Sequence, residues 1–195
     1  MIKAILLAAG QSKRLKSENK LAKIYKKKHL INHTLQTLHK SKVNKVIIVF
    51  GYQHKKIKKI IKKHKKNIFI FNKDYKKGMA SSIKTGLKKV SRNDKGFIVV
   101  QSDMPFIKKT DINKIYSSIK FRKYFVYVLK YKNKIGNPIG FDISLNKKFK
   151  NIKGKFGAKY MVKRLKNRTK FIKTNSSAIG VCFSYKRSSI IVRYF

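Results

Sequence analysis

The sequence predicts an α/β fold in three layers, with helices on both faces of a mostly parallel central sheet. Three observations predict it. Short apolar, largely β-branched runs recur along the chain, and such runs read as strands buried on both faces. Between them, apolar residues return at the spacing of one helical face, with lysine on the other faces. Each polar cluster of interest follows a strand, and ligands of such sheets lie beyond the carboxyl ends of the strands.

The elements follow in order. IKAILLAAG opens the chain as a strand that turns at Ala8-Ala9-Gly10. From Leu30, the positions Ile31, Leu35 and Leu38 mark a helix. Val46 to Phe50 is a second strand, ended by Gly51. Ile57, Ile60 and Ile61 mark one face of a very basic helix that carries His54 and His64. Ile68 to Phe71 is a third strand, and Met79, Ile83, Leu87 and Val90 stripe the next helix. Phe97 to Val100 is a fourth strand, followed by a helix with Ile112, Ile115 and Ile119 on one face. Phe125 to Tyr131 reads as a strand, Gly136-Asn137-Pro138 as a turn, Ile139 to Ile143 as another strand, and Gly154 to Leu165 as a basic amphipathic helix. Residues 171–195 are apolar and hydroxyl-rich, an atypical tail without a clear assignment. At 195 residues, a single domain spanning 1–195 is expected, large enough for a full core.

The charge is extreme: 52 basic residues against 6 acidic ones. Such a field attracts nucleotides, nucleic acid and anionic surfaces alike. Yet 45 of the basic residues are lysine, spread along the whole chain. A dedicated nucleic-acid binder concentrates charge in a patch rich in arginine. A compositional bias toward lysine gives the same picture, so nucleic acid is expected only through non-specific charge. The single cysteine, Cys182, excludes an internal disulfide and a CxxC metal site, which fits a reducing cytoplasm. AILLAA near the N-terminus is too short for a signal peptide before Gln11-Ser12-Lys13-Arg14, and no run reaches the roughly 20 apolar residues of a membrane helix. The five histidines show no HExxH or other metal spacing.

Three stretches carry chemistry. In the first, Leu7-Ala8-Ala9-Gly10-Gln11-Ser12 makes a tight turn of small residues, followed by Arg14 and Lys20. Backbone N–H groups and two cations at close range suit a polyphosphate, although neither GxxxxGK[ST] nor GxGxxG is present. In the second, Asp103 stands just past a strand end in QSDMP. There a carboxylate can hold Mg²⁺, or simply start a turn before Pro105. Gly78, Ser81 and Ser82 open a helix, where free N–H groups meet an anion or a base, or where serine merely caps.

LAAGQSKR followed by Asn19-Lys20-Leu21 resembles the opening of the nucleotidyltransferases that include the molybdenum cofactor cytidylyltransferases. NKDYKKGMASSIKTGL, Asp103-Met104-Pro105, Gly136-Asn137-Pro138-Ile139-Gly140-Phe141 and GKFGAK resemble further segments of that family, in the same order. The resemblance spans about Ile2 to Leu165. It implies a Rossmann-like fold of the nucleotide-diphospho-sugar transferase type. It also implies transfer of CMP from CTP to molybdopterin, with Mg²⁺ and release of pyrophosphate.

By the same resemblance, Leu7 to Ser12, Arg14 and Lys20 hold the triphosphate, Gly78, Ser81 and Ser82 meet the nucleotide, and Asp103 binds the metal. Asn137 and Pro138 lie near the acceptor. Ala8-Ala9-Gly10 favours the cytidylyl over the guanylyl branch, and Asn19-Lys20-Leu21 counts against the methylerythritol-phosphate branch.

The chain departs from the family in three places. Leu15-Lys16 replaces Met-Gly, and Lys155 and Lys159 stand where the family has Asp and Arg. No Asp or Glu follows Asp142, so the acidic C-terminal segment that supplies a second metal ligand is missing. Asp142 or water could substitute. Otherwise the metal site is weak, or the tail has been lost or altered, and a catalytically degenerate scaffold that binds nucleotide or polyanion is the alternative reading. A sugar phosphate is the remaining alternative acceptor.

Overall fold

The computed structural model describes residues 1–12, 15, 18–152, 154, 157–186 and 189–194, those beyond 183 by backbone alone. The central sheet has seven strands among the described residues, in the order β5-β4-β1-β6-β8-β7-β9. They are β1 (Ile2–Ala8), β4 (Lys45–Phe50), β5 (Asn67–Phe71), β6 (Gly96–Gln101), β7 (Val126–Tyr131), β8 (Lys134–Asp142) and β9 (Thr169–Lys173). Pairing is parallel among β1, β4, β5 and β6 and between β7 and β9; only β8 runs antiparallel to its neighbours. Two small hairpins complete the strands, β2 (Ile24–Tyr25) with β3 (Lys28–His29), and β10 (Val181–Lys186) with β11 (Ser189–Tyr194).

Alternation along the strands divides the core in two. Ala4, Leu6, Val46, Ile48, Ile98, Val100 and Tyr127 face α1 (Leu30–Lys40) and α4 (Lys109–Lys120). Ile5, Ile47, Val49, Phe97, Val99, Val128 and Phe141 face α3 (Met79–Leu87), α5 (Asn146–Phe149) and α6 (Ala158–Arg164). Both faces are therefore dry, which is why the central strands read as continuous apolar runs rather than as alternating ones.

The sequence reading needs correction at several points. Gly136-Asn137-Pro138 is not a turn; it lies inside β8, with a cis peptide before Pro138. Pairing with β7 jumps there, from Val128 opposite Ile139 to Leu129 opposite Gly136, leaving Asn137 and Pro138 as a bulge. Proline has no N–H to give the ladder, so it is tolerated where pairing is already broken. A Cβ on Gly136 would lie 2.0 Å from the Ile179 carbonyl, so only glycine lets the segment Ser177–Gly180 pack on this strand. Ile143 belongs to a 3-10 turn, Ile143–Leu145, and not to a strand. The basic helix α2 (His54–Lys59) is short, so His64 lies beyond it. The helix expected from Gly154 begins at Ala158. The tail is integrated into the fold: β9 is the outer strand beside β7, and β10 returns to the loop after β6.

Four of the six carboxylates are buried, and each ties distant segments together. Asp94 receives Lys3 Nζ at 2.8 Å and the Ser91 N–H at 2.8 Å, pinning the start of β1 to the turn before β6. Asp111 accepts from Thr174 Oγ1 at 2.7 Å, fastening the segment after β9 to α4. Asp142 accepts from Ser144 N–H at 2.9 Å and Arg122 Nε at 3.0 Å. Burial alone would raise the Asp142 carboxyl, but the Ser144 and Arg122 contacts outweigh it and hold the group below the usual carboxylate range.

Two outcomes follow. Asp94→Asn leaves Lys3 buried without its counter-charge, and urea denaturation should show a loss of about 3 kcal/mol. A depressed Asp142 pKa contributes stability above the unfolded-state value of about 3.9, lost as pH falls through the lower folded value. In acid-denaturation series, Asp142→Asn should therefore be less stable than wild type at neutral pH, and the two curves should converge below that range.

Candidate active site

The sequence-predicted residues gather at one end of the sheet because β1 and β6 are parallel neighbours with Leu7 opposite Gln101. The loops after both strands leave side by side. Leu7 is half-buried, Ala8 and Ala9 are buried, and the space a Cβ on Gly10 would enter is open. Among the described residues, nothing hydrogen-bonds to the N–H groups of Gly10 and Gln11. Ser12 takes a left-handed backbone (φ 50°), and its hydroxyl accepts the Lys20 N–H at 3.1 Å. That bond closes the loop onto the 3-10 turn Lys20–Ala22, which Asn19 caps by accepting the Leu21 N–H at 3.1 Å. Arg14 lies outside the described residues, as does Lys155.

Lys20 Nζ lies 2.5 Å from Asp103 Oδ2 and 3.4 Å from the Phe183 carbonyl. Neighbouring Ser102 donates its hydroxyl to the Leu7 carbonyl at 2.7 Å, which locks the two loops together. The tail reaches the same point. Phe183 N–H donates to the Asp103 carbonyl at 3.0 Å, and the Phe183 ring packs on Tyr25 and Phe106, with centroids 4.7 and 5.4 Å away.

A cleft of about 240 Å³ opens beside these loops, lined by Leu7, Met79, Val99, Gln101, Asn137, Gly157, Ala158 and Lys159. The Ala80 N–H donates to the Gly154 carbonyl at 3.3 Å, drawing the chain before α6 over the start of α3 and Lys159 into the cleft wall. Burial lowers the Lys159 ammonium pKa from the usual lysine value, and electrostatic interaction with Cys182 acts the other way without outweighing it. Asn137 lines the cleft because the bulge in β8 turns that residue out of the ladder; Pro138 follows it in the same bulge.

Gly78 holds φ 101°, a conformation that suits glycine, and α3 starts directly after it. The serines of α3 do not present free hydroxyls. Ser81 Oγ lies 2.8 Å from the carbonyls of both Asp74 and Gly78, which share its one proton, and it accepts from Asn72 Nδ2 at 2.9 Å. Ser82 Oγ accepts from the same nitrogen at 3.1 Å, and Thr85 Oγ1 donates to Asn72 Oδ1 at 3.1 Å. Asn72 is thus the hub that sets the start of α3. It is one of the residues sequence reasoning missed as a site residue, with Met79, Gln101, Lys159 and Phe183. Its signal was present: a polar residue directly after the β5 run. Asp142 is excluded as a second metal ligand. It pairs with Gly96, at the far end of β6 from Asp103. Among the described residues, no three His, Cys, Asp or Glu side chains form a metal cluster. Asp103 is the carboxylate here, a hard oxygen donor suited to Mg²⁺ when phosphates complete its shell.

Comparison with known proteins bears on the family and the fold. Residues 4–169 match the family model for the MobA-like NTP transferase domain. The bifunctional protein GlmU of Buchnera aphidicola subsp. Acyrthosiphon pisum is 31% identical over 149 residues, 76% of this chain and 31% of that protein. The chain therefore spans about a third of the length of such curated relatives. Rv0371c of Mycobacterium tuberculosis superposes with TM-score 0.79 at 18% identity, covering 89% of this chain and 87% of that one. Its manganese complex superposes at 0.69 with 16% identity, covering 89% of both chains. A 4-diphosphocytidyl-2C-methyl-D-erythritol synthase from Anaerococcus prevotii superposes at 0.73 with 16% identity, covering 97% and 91%. No helix among the described residues is long and apolar enough to cross a membrane.

Asn72→Ala removes the shared partner of three buried or half-buried hydroxyls. Thermal denaturation should report about 1–3 kcal/mol of lost stability, the cost of leaving such groups unsatisfied. Ser81→Ala, on the half-buried edge of the network, should cost less.

Proposed function

This chain belongs to the MobA-like NTP transferase family, and on that premise we propose that it transfers CMP from CTP to molybdopterin, releasing pyrophosphate. The observation that carries the transfer reading is the meeting of the Gly10 loop, Lys20 and Asp103 at the carboxyl ends of β1 and β6. A phosphate oxygen of the acceptor attacks the α-phosphorus of the nucleotide in line. The new P–O bond forms as the bond to the β-phosphate breaks, and pyrophosphate leaves with the electron pair.

The protein contributes position and charge rather than a covalent intermediate. The loop from Leu7 to Ser12, through the N–H groups of Gly10 and Gln11, holds the triphosphate with Arg14 and Lys20. Gly78 and the start of α3, set by Ser81, Ser82 and Asn72, face the nucleoside. Asn137, Pro138 and Lys159 line the acceptor side. Asp103 would hold Mg²⁺, which when bound neutralises phosphate charge and eases departure of pyrophosphate.

The cytidylyl and molybdopterin assignments rest on Ala8-Ala9-Gly10, the GMASS block and the order of motifs. A sugar phosphate is a second reading of the acceptor, because one fold and one nucleotide loop can serve different acceptors.

The test is pyrophosphate release from each of the four nucleoside triphosphates with Mg²⁺, alone, with molybdopterin, and with sugar 1-phosphates. The expected result is release with CTP that requires molybdopterin. Asp103→Asn should slow it by about a hundredfold or more, the scale of losing one preorganised electrostatic stabiliser. Release that requires a sugar phosphate assigns the second reading. No release from a folded chain that still binds nucleotide marks a degenerate scaffold.

A further inference from the structure

The departure at the C-terminus bears on how this chain takes up metal. Asp103 stands alone: no Asp or Glu follows Asp142, and Asp142 itself is at the other end of the sheet. Its Oδ2 is taken by Lys20 Nζ at 2.5 Å. The tail contributes a backbone carbonyl, that of Phe183, 3.4 Å from the same ammonium. The lysine charge is thus cradled by one carboxylate oxygen and one carbonyl oxygen, an oxygen environment of the kind a hard cation seeks. The pair is sheltered, with side-chain exposures of 29% for Lys20 and 10% for Asp103, so water screens it only partly.

We propose that Lys20 is an internal counter-ion that occupies the cation position of Asp103, so that divalent metal and nucleotide enter together by exchange of partners. The proposal rests on the nucleotidyl-transfer reading for the identity of the nucleotide. Metal alone must displace an ammonium from its single carboxylate, leaving two cations side by side. Nucleotide alone can draw Lys20 to its phosphates, but then Asp103 is left bare beside a polyanion. When both arrive, Lys20 moves to the triphosphate and Asp103 to the metal, and no charge is left unpaired. Each ligand therefore raises the affinity for the other by the same factor.

The sign of one substitution separates this from simple phosphate binding. If Lys20 only served the triphosphate, Lys20→Gln would weaken nucleotide binding and leave metal binding untouched. As an internal counter-ion, its removal must strengthen metal binding in the absence of nucleotide.

The experiment is titration of the full chain with Mn²⁺, followed by calorimetry and by the electron paramagnetic resonance of free Mn²⁺, with and without α,β-methylene-CTP. The proteins are wild type, Lys20→Gln, Lys20→Ala, Asp103→Asn and Lys170→Gln, an exposed β9 lysine that controls for net charge. Thermal melts confirm folding.

In wild type, Mn²⁺ should bind weakly alone and at least about tenfold more tightly with the analogue. Lys20→Gln and Lys20→Ala should raise the affinity for Mn²⁺ alone at least about tenfold and shrink the coupling toward unity. Asp103→Asn should remove the Mn²⁺ site, and Lys170→Gln should behave as wild type. No gain in the Lys20 variants, or an equal gain in Lys170→Gln, overturns the proposal. Wild type that binds the analogue equally well with and without Mn²⁺ overturns the exchange. If no protein binds the analogue while the Lys20 variants still gain Mn²⁺ affinity, the counter-ion stands and the nucleotidyl-transfer reading falls.

Discussion

Parallel pairing of β1 with β6 is the constraint on which the site depends. The register that sets Leu7 opposite Gln101 sends the Gly10 loop and the Asp103 loop out of the sheet as neighbours. The Ser102 hydroxyl on the Leu7 carbonyl then fixes their spacing. Slip this register by one residue and every side chain of β1 changes face, so the two dry cores on either side hold it in place. The site inherits its position from core packing, and the Ser102 contact sets the spacing of its loops.

Carboxylate scarcity shapes the rest. In a chain with 52 basic and 6 acidic residues, no buried lysine finds a counter-charge by chance. Asp94, Asp103, Asp111 and Asp142 each sit where two or more segments far apart in sequence meet. Three of these fasten the scaffold, at the start of β1, at α4 and at the end of β8. The fourth, Asp103, faces the loop expected to hold phosphates. A single carboxylate paired with a lysine differs from a cluster of carboxylates: it is electrically satisfied as it stands.

The tail shows how composition can mislead. Residues 171–195 lack the acidic segment expected of the family and carry no clear periodicity. They nonetheless complete the edge of the sheet, pack against Gly136, and return a carbonyl and an aromatic ring to the Asp103 loop. A segment that supplies backbone groups and a ring leaves little trace in charged residues. The bulge at Asn137-Pro138 misled in a similar way. Gly-Asn-Pro is turn chemistry in isolation, but here flanking apolar residues pair on both sides and override it.

By itself the sequence determined the α/β class, the four parallel strands and their helices, and the loops that carry Leu7 to Ser12, Lys20 and Asp103. Apolar period and small residues at strand ends are local signals, written in neighbouring positions. It also identified the family, through motifs whose order is a property of the chain. Only the tertiary structure decided that Lys20 and Asp103, 83 positions apart, share a proton-donating contact of 2.5 Å. It alone decided that Asn72 governs Ser81 and Ser82, that Lys159 enters the cleft and that Asp142 does not. Each of these depends on strand order and register, which arise from packing between residues distant in the chain and leave no periodic mark along it.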